Sequence, residues 1–192
     1  DYAVTGVQTC ALPILTPCNG FDCADPNNAM QNNYSWSMAE LGEYLYVGTG
    51  RNITYQVLKS GQFGSVPVPP ILTPNPVDTR AEIWRYKTDG TREWERVFKS
   101  GDELGITGFR YMIRYTTPDG ETALYAGAAT AIPGIVIVKS TDGVNWLPLR
   151  TDIPGNSTRA MAVHEGRLYM GVLLQNELST MLYVSTDPER SG

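Results

Sequence analysis

Histidine is almost absent from this chain: its 192 residues hold one, His164. A single imidazole, set in a turn-like run between Val163 and Glu165, leaves a Ser-His-Asp triad and a histidine-built metal centre without their parts. Lysine is scarce too, at four residues, and 15 basic side chains face 20 acidic ones for a formal charge of -5. Neutralising a phosphate backbone needs a basic face, so nucleic acid is not an expected partner. No stretch approaches the ~18 consecutive apolar residues of a membrane-spanning helix. Neither GxxxxGK[ST] nor GxGxxG opens a helix, so nucleotide phosphates have no cradle and no cofactor is expected.

What the chain has instead is turn and strand chemistry, with 19 Gly, 13 Pro and 11 Tyr. Tyrosine suits pleated strands, while glycine and proline punctuate them. The search for internal repeats finds one four-residue core three times: Leu45-Tyr46-Val47-Gly48, Leu124-Tyr125-Ala126-Gly127 and Leu168-Tyr169-Met170-Gly171. Each follows a Gly-bearing acidic turn and an apolar alternating run that holds Met38, Met112 or Met161. Each precedes a third run, Glu82 to Tyr86, Gly134 to Val138 or Thr180 to Val184, and then an Asp-bearing turn at Asp89, Asp142 or Asp187. The turn aspartates lie 53 and 45 residues apart. Four short antiparallel strands in a period of about 45 residues describe a β-propeller blade. The expected fold is therefore all-β, a partial β-propeller of about three four-stranded antiparallel blades, at about 34–98, 109–150 and 157–192.

At the fourth strand the residues resemble a known family. Ser140-Thr141-Asp142-Gly143-Val144-Asn145-Trp146 matches the Asp box (BNR repeat) of sialidase-like propellers in its shorter S-x-D-G-x-x-W form. In the first unit Lys87 stands where the Ser would be, and one extra residue separates Asp89 from Trp94; in the third, Ser185 and Asp187 have no Trp after them. The resemblance implies a structural turn on the blade periphery, with Asp accepting backbone N–H groups, Gly at positive φ and Trp packed beneath. Asp89, Asp142 and Asp187 are thus not expected to be catalytic carboxylates.

The N-terminal region reads differently. The string VTGVQTCALPI within residues 1–14 resembles a translated sequencing adapter, which implies a non-native leader that includes Cys10; a native arm is the alternative. Residues 15–33 read as a loop segment. Cys18 and Cys23, with four residues between them including Gly20, could close a local disulfide and lean toward an extracellular or cell-surface setting. Asp22, Asp25, Asn27 and Asn28 carry oxygens suited to a hard cation but lack the spacing of a calcium loop, so no metal is expected. The blades beyond these three are expected to be missing from this chain.

Candidate ligand residues follow from propeller topology, in which loops between second and third strands share a face with the blade-to-blade connections. The first such loop, Thr49 to Arg80, is the long one, stiffened by Pro67, Pro69, Pro70, Pro74 and Pro76. Arg51 and Asn52 open it, and Trp36 lies on the adjacent inner strand. Arg110 and Arg159 occupy the repeat position of Trp36, two residues before Met112 and Met161, so Arg and Met are expected on one strand face. Two guanidiniums near the channel mouth suit a carboxylate or another anion; interblade salt bridges are the competing role. The resulting expectation is a binding or scaffold domain for a carbohydrate or a protein. The alternative is a fragment of a sialidase-like or other Asp-box glycoside hydrolase or lyase, with Arg110 and Arg159 as substrate anchors and no assignable catalytic residue.

Overall fold

The computed structural model describes residues 21, 22, 24–61, 64–89, 94–174 and 179–189. The adapter-like stretch, Cys18 and Cys23 lie outside these residues. The chain is mostly β and forms an antiparallel sheet of 11 strands. Strands β1 (Tyr34–Leu41), β2 (Tyr44–Gly50), β3 (Glu82–Lys87) and β4 (Trp94–Lys99) pair in sequence order as a meander. So do β5 (Ile106–Thr116), β6 (Thr122–Thr130), β7 (Val136–Ser140) and β8 (Leu147–Arg150). A third meander holds β9 (Ser157–His164), β10 (Arg167–Leu174) and β11 (Ser179–Ser185).

The links between meanders are narrow. One pair of partners, Gly50 and Gly108, joins β2 to β5, and one pair, Ala129 and Ser157, joins β6 to β9. Side-chain packing holds the meanders together instead. Tyr46 and Ile83 of the first are buried with Met112, Leu124 and Val138 of the second. Tyr125 and Ile137 of the second are buried with Met161, Leu168 and Val172 of the third. Each such side chain contributes about 1.5–3 kcal/mol on burial. The first strands of successive meanders, β1, β5 and β9, lie next to one another.

Tight turns set the register. Gly42, Gly120 and the pair Glu165-Gly166 sit at positive φ in the hairpins that follow β1, β5 and β9, where a left-handed residue matches the twist of the flanking strands. The segment before β1 is not wholly loop. It contains a short helix, α1 (Pro26–Gln31), whose N-cap Asp25 accepts from the N–H groups of Asn27 and Asn28. An Asp-Pro pair is a helix start, a signal that the loop reading passed over. The long connection from β2 to β3 likewise contains a helix, α2 (Ile53–Lys59), entered through Asn52 in the left-handed conformation.

Candidate functional site

The three residues at the repeated position in the first strand of each meander share one backbone feature. In β1 the register shifts between Ser35 and Ser37, in β5 between Phe109 and Tyr111, and in β9 between Thr158 and Ala160. Trp36, Arg110 and Arg159 are thus the extra residues of three equivalent β-bulges. The residue after each bulge, Ser37, Tyr111 or Ala160, pairs with the glycine that ends the repeated core, Gly48, Gly127 or Gly171. Two of these glycines have no room for a side chain: a Cβ would meet Ser37 and Phe109 at Gly48, and Thr158 at Gly127.

The bulges overturn the expectation that Arg and Met share a face. Met112 and Met161 are buried, whereas Arg159 is exposed and Arg110 half-buried. One inserted residue puts two neighbours out of strict alternation and re-aims the bulged side chain.

Around the first two bulges the side chains form a cluster. The Arg110 guanidinium carbon lies 4.5 Å from the centroid of the Trp36 ring. The indole occupies the space that side chains at Gly50 and Gly108 would need, directly over the link between β2 and β5. Exposed Tyr34 stands beside it, with ring centroids 5.7 Å apart. Burial lowers the affinity of the Arg110 guanidinium for its proton, and the charge of Arg159 lowers it further. Arg110 Nε is buried without a hydrogen-bond partner. Among the described residues neither Arg110 nor Arg159 makes an ion pair, so the competing expectation of a salt bridge between neighbouring units is not met there. Arg110 is thus half-buried beside a second cation, with no carboxylate partner among the described residues.

Arg51 and Asn52 are elsewhere. Expected at an open loop face, both are buried, and the Arg51 side chain has 0% exposure. They join a polar network beneath α1. Arg51 pairs with Glu82 at 3.1 Å and approaches Asp78 at 3.4 Å, and its Nη1 donates to Asn28. Asn52 donates to the side chain of Gln31 and the carbonyl of Asp78. Glu82 also accepts from Asn28, Asn32 and Trp84 and pairs with Arg96 and Lys99. Unpaired ions would cost several kcal/mol each at such a depth, so Arg51 and Glu82 are present because they satisfy one another. The buried Glu82 is the residue that sequence reasoning missed; it reads there as part of an ordinary strand. Asp25 is occupied as a helix cap and Asp22 accepts from Asn28.

The Asp-bearing turns fasten hairpins. Asp142 Oδ1 accepts from the N–H groups of Val144 and Asn145 at 2.8 Å, and Asp142 Oδ2 from the Asn145 amide at 2.7 Å. Ser140 Oγ accepts from the Gly143 N–H and donates to Asp142. Trp146 then packs against Tyr46 and Phe98 of the first meander. In the third meander Asp187 accepts from the Glu189 N–H and Ser185 Oγ from the Asp187 N–H. In the first, Asp89 is paired with Lys87 at 2.7 Å, and Trp94 packs on Tyr86 and Phe21. His164 is exposed beside Glu165.

Comparison of the chain with protein-family models, with curated proteins and with solved structures finds no match in any of the three.

Proposed function

We propose that the chain is three successive blades of a β-propeller and that its inner-strand face binds an anionic ligand, in first place a carbohydrate carrying a carboxylate. The blade reading is supported by the order of the meanders, by the adjacency of β1, β5 and β9, and by the repeated Asp turns. One observation carries the ligand reading: Arg110 and Arg159 occupy equivalent bulges, the charge of Arg159 reaches Arg110, and neither has a carboxylate partner among the described residues. Trp36 serves as the platform for Arg110 rather than as a free stacking surface. Exposed Tyr34 and Tyr111 remain to meet a sugar ring.

Titration calorimetry with a carboxylated monosaccharide and its neutral counterpart tests this. The carboxylated sugar is expected to bind, more weakly as salt is raised. Replacing Arg110 and Arg159 together by Ala should weaken it about tenfold or more with the unfolding midpoint unchanged. Equal binding of the neutral sugar, or full affinity in the double variant, would remove the anion site.

A further inference from the structure

The two junctions between meanders are built at the same repeat position. Gly50 pairs with Gly108 where β2 meets β5, and Ala129 with Ser157 where β6 meets β9. Gly50 and Ala129 each lie two residues beyond the glycine of the repeated core, and Gly108 and Ser157 each lie two residues before the bulged arginine. Gly108 pairs with Ala129 as well, so Gly50, Gly108, Ala129 and Ser157 form one row of small residues across four strands. Directly paired residues of antiparallel strands share a face. The Trp36 ring marks which face this is, because it takes the space that a Cβ at Gly50 or Gly108 would need.

The second meander differs from the first in what it sets beside its junction. Arg110 holds the repeat position of Trp36, so the repeat directs it to Ala129 and Ser157 as it directs the indole to Gly50 and Gly108. Ser157 is 4% exposed, and its Oγ is buried without a hydrogen-bond partner among the described residues. The Nε of Arg110 is buried without one too. A buried hydroxyl left unpaired costs the fold its desolvation and returns nothing, and the first meander avoids that cost with Gly108. We propose, on the anion reading of Arg110, that Ser157 is a second ligand residue, whose hydroxyl donates together with the Arg110 Nε–H to one carboxylate of the ligand. The carboxylate then lies against the junction of β6 with β9. Both donors are covered in the free chain, so the guanidinium turns on the indole to admit it.

Titration calorimetry of D-glucuronate into the full chain in reductant is the test, with thermal unfolding of each variant in the absence of ligand. Ser157→Ala is expected to weaken binding about tenfold, as the loss of a hydrogen bond to a charged group does, and to leave the unfolding midpoint unchanged or higher, since the hydroxyl it removes has no partner. Thr158 is the next residue along and faces the other side of the strand, where its hydroxyl lies 3.7 Å from the Met170 sulfur, so Thr158→Val is expected to leave affinity unchanged. Added to Arg110→Ala, Ser157→Ala is expected to cost less than it does alone, because both donors serve one carboxylate; strictly additive losses would overturn the shared seat. Full affinity in Ser157→Ala beside a loss in Arg110→Ala would overturn the role of Ser157 and leave the anion reading standing. A lower midpoint together with weaker binding would make the hydroxyl part of the fold, and an equal loss in Thr158→Val would make the effect one of the strand; either overturns the proposal. Failure of glucuronate to bind the unaltered chain would remove the anion reading and Ser157 with it.

Discussion

Gly143, in the Asp turn of the second meander, lies directly against the ring and hydroxyl of Tyr46 in the first. A Cβ there would fall closer to Tyr46 than the 3.0 Å that real Cβ atoms respect, and φ of +72° already disfavours any other residue. Gly143→Ala is expected to cost about 2–4 kcal/mol, combining backbone strain with overpacking. Removing the obstruction with Tyr46→Leu should leave only the backbone part, about 1 kcal/mol, when Gly143→Ala is added. Urea unfolding of the two single variants and the double variant measures this; strictly additive costs would mean that the turn does not rest on Tyr46.

The Asp142 carboxyl is held well below the usual carboxylate range, chiefly by the Asn145 side-chain amide and then by the N–H groups of Asn145 and Val144. The group is solvent-facing, so its hydrogen bonds are discounted for screening. Asp142→Ala should cost about 1 kcal/mol and Asp142→Asn less, because an amide oxygen can still accept at the turn. Ligand affinity should be unchanged in both. A large loss of binding with full stability would make Asp142 a ligand residue and not a clasp.

How far the sequence carried this reading depended on whether a feature is local. The strands of the repeated cores are where the period-2 runs and Gly-bearing turns place them, since both signals act over a few residues. The bulges at Trp36, Arg110 and Arg159 were not legible, because strict alternation has no way to announce one inserted residue. Alternation alone puts Met112 and Arg110 on one face; the bulge puts them on two. Arg51 looked like a loop residue; its partners Asp78 and Glu82 lie about thirty residues away in sequence, a separation that no local pattern bridges.

The buried pair Arg51–Glu82 makes stability depend on acid. Burial by itself pushes the Glu82 carboxyl up, but the Arg51 guanidinium, the Asn32 amide and Lys99 outweigh it and hold the group below its ordinary value. Asp78 follows the same logic, with burial opposed by Arg80 and Lys99. A carboxyl depressed in the folded state contributes its stability fully above the unfolded value of about 4 and loses it as pH falls through the lower folded values. Unfolding free energy should therefore hold between about pH 5 and 7 and decline below about 4. Glu82→Gln leaves buried Arg51 with only Asp78, at 3.4 Å, as counter-ion, at an expected cost of up to about 3–5 kcal/mol, and should flatten the acid limb. An unchanged limb would assign it to other carboxyls.

Trp36, Gly108 and Arg110 form a chain of dependence that binding can report. The indole lies over Gly108 because Gly108 has no side chain, and the guanidinium of Arg110 stands on the indole. Gly108→Ala puts a methyl group into the space of the ring, so the ring must move and Arg110 loses its platform. A cation–π contact in a partly buried setting is worth about 0.5–2 kcal/mol, so affinity for a carboxylated sugar should fall about two- to thirtyfold. Trp36→Leu should give the same loss without displacing backbone, and adding Gly108→Ala to it should cost binding nothing further. If Gly108→Ala still weakened binding in the Trp36→Leu background, the effect would come from the junction of β2 and β5, and the indole would have no part in positioning Arg110.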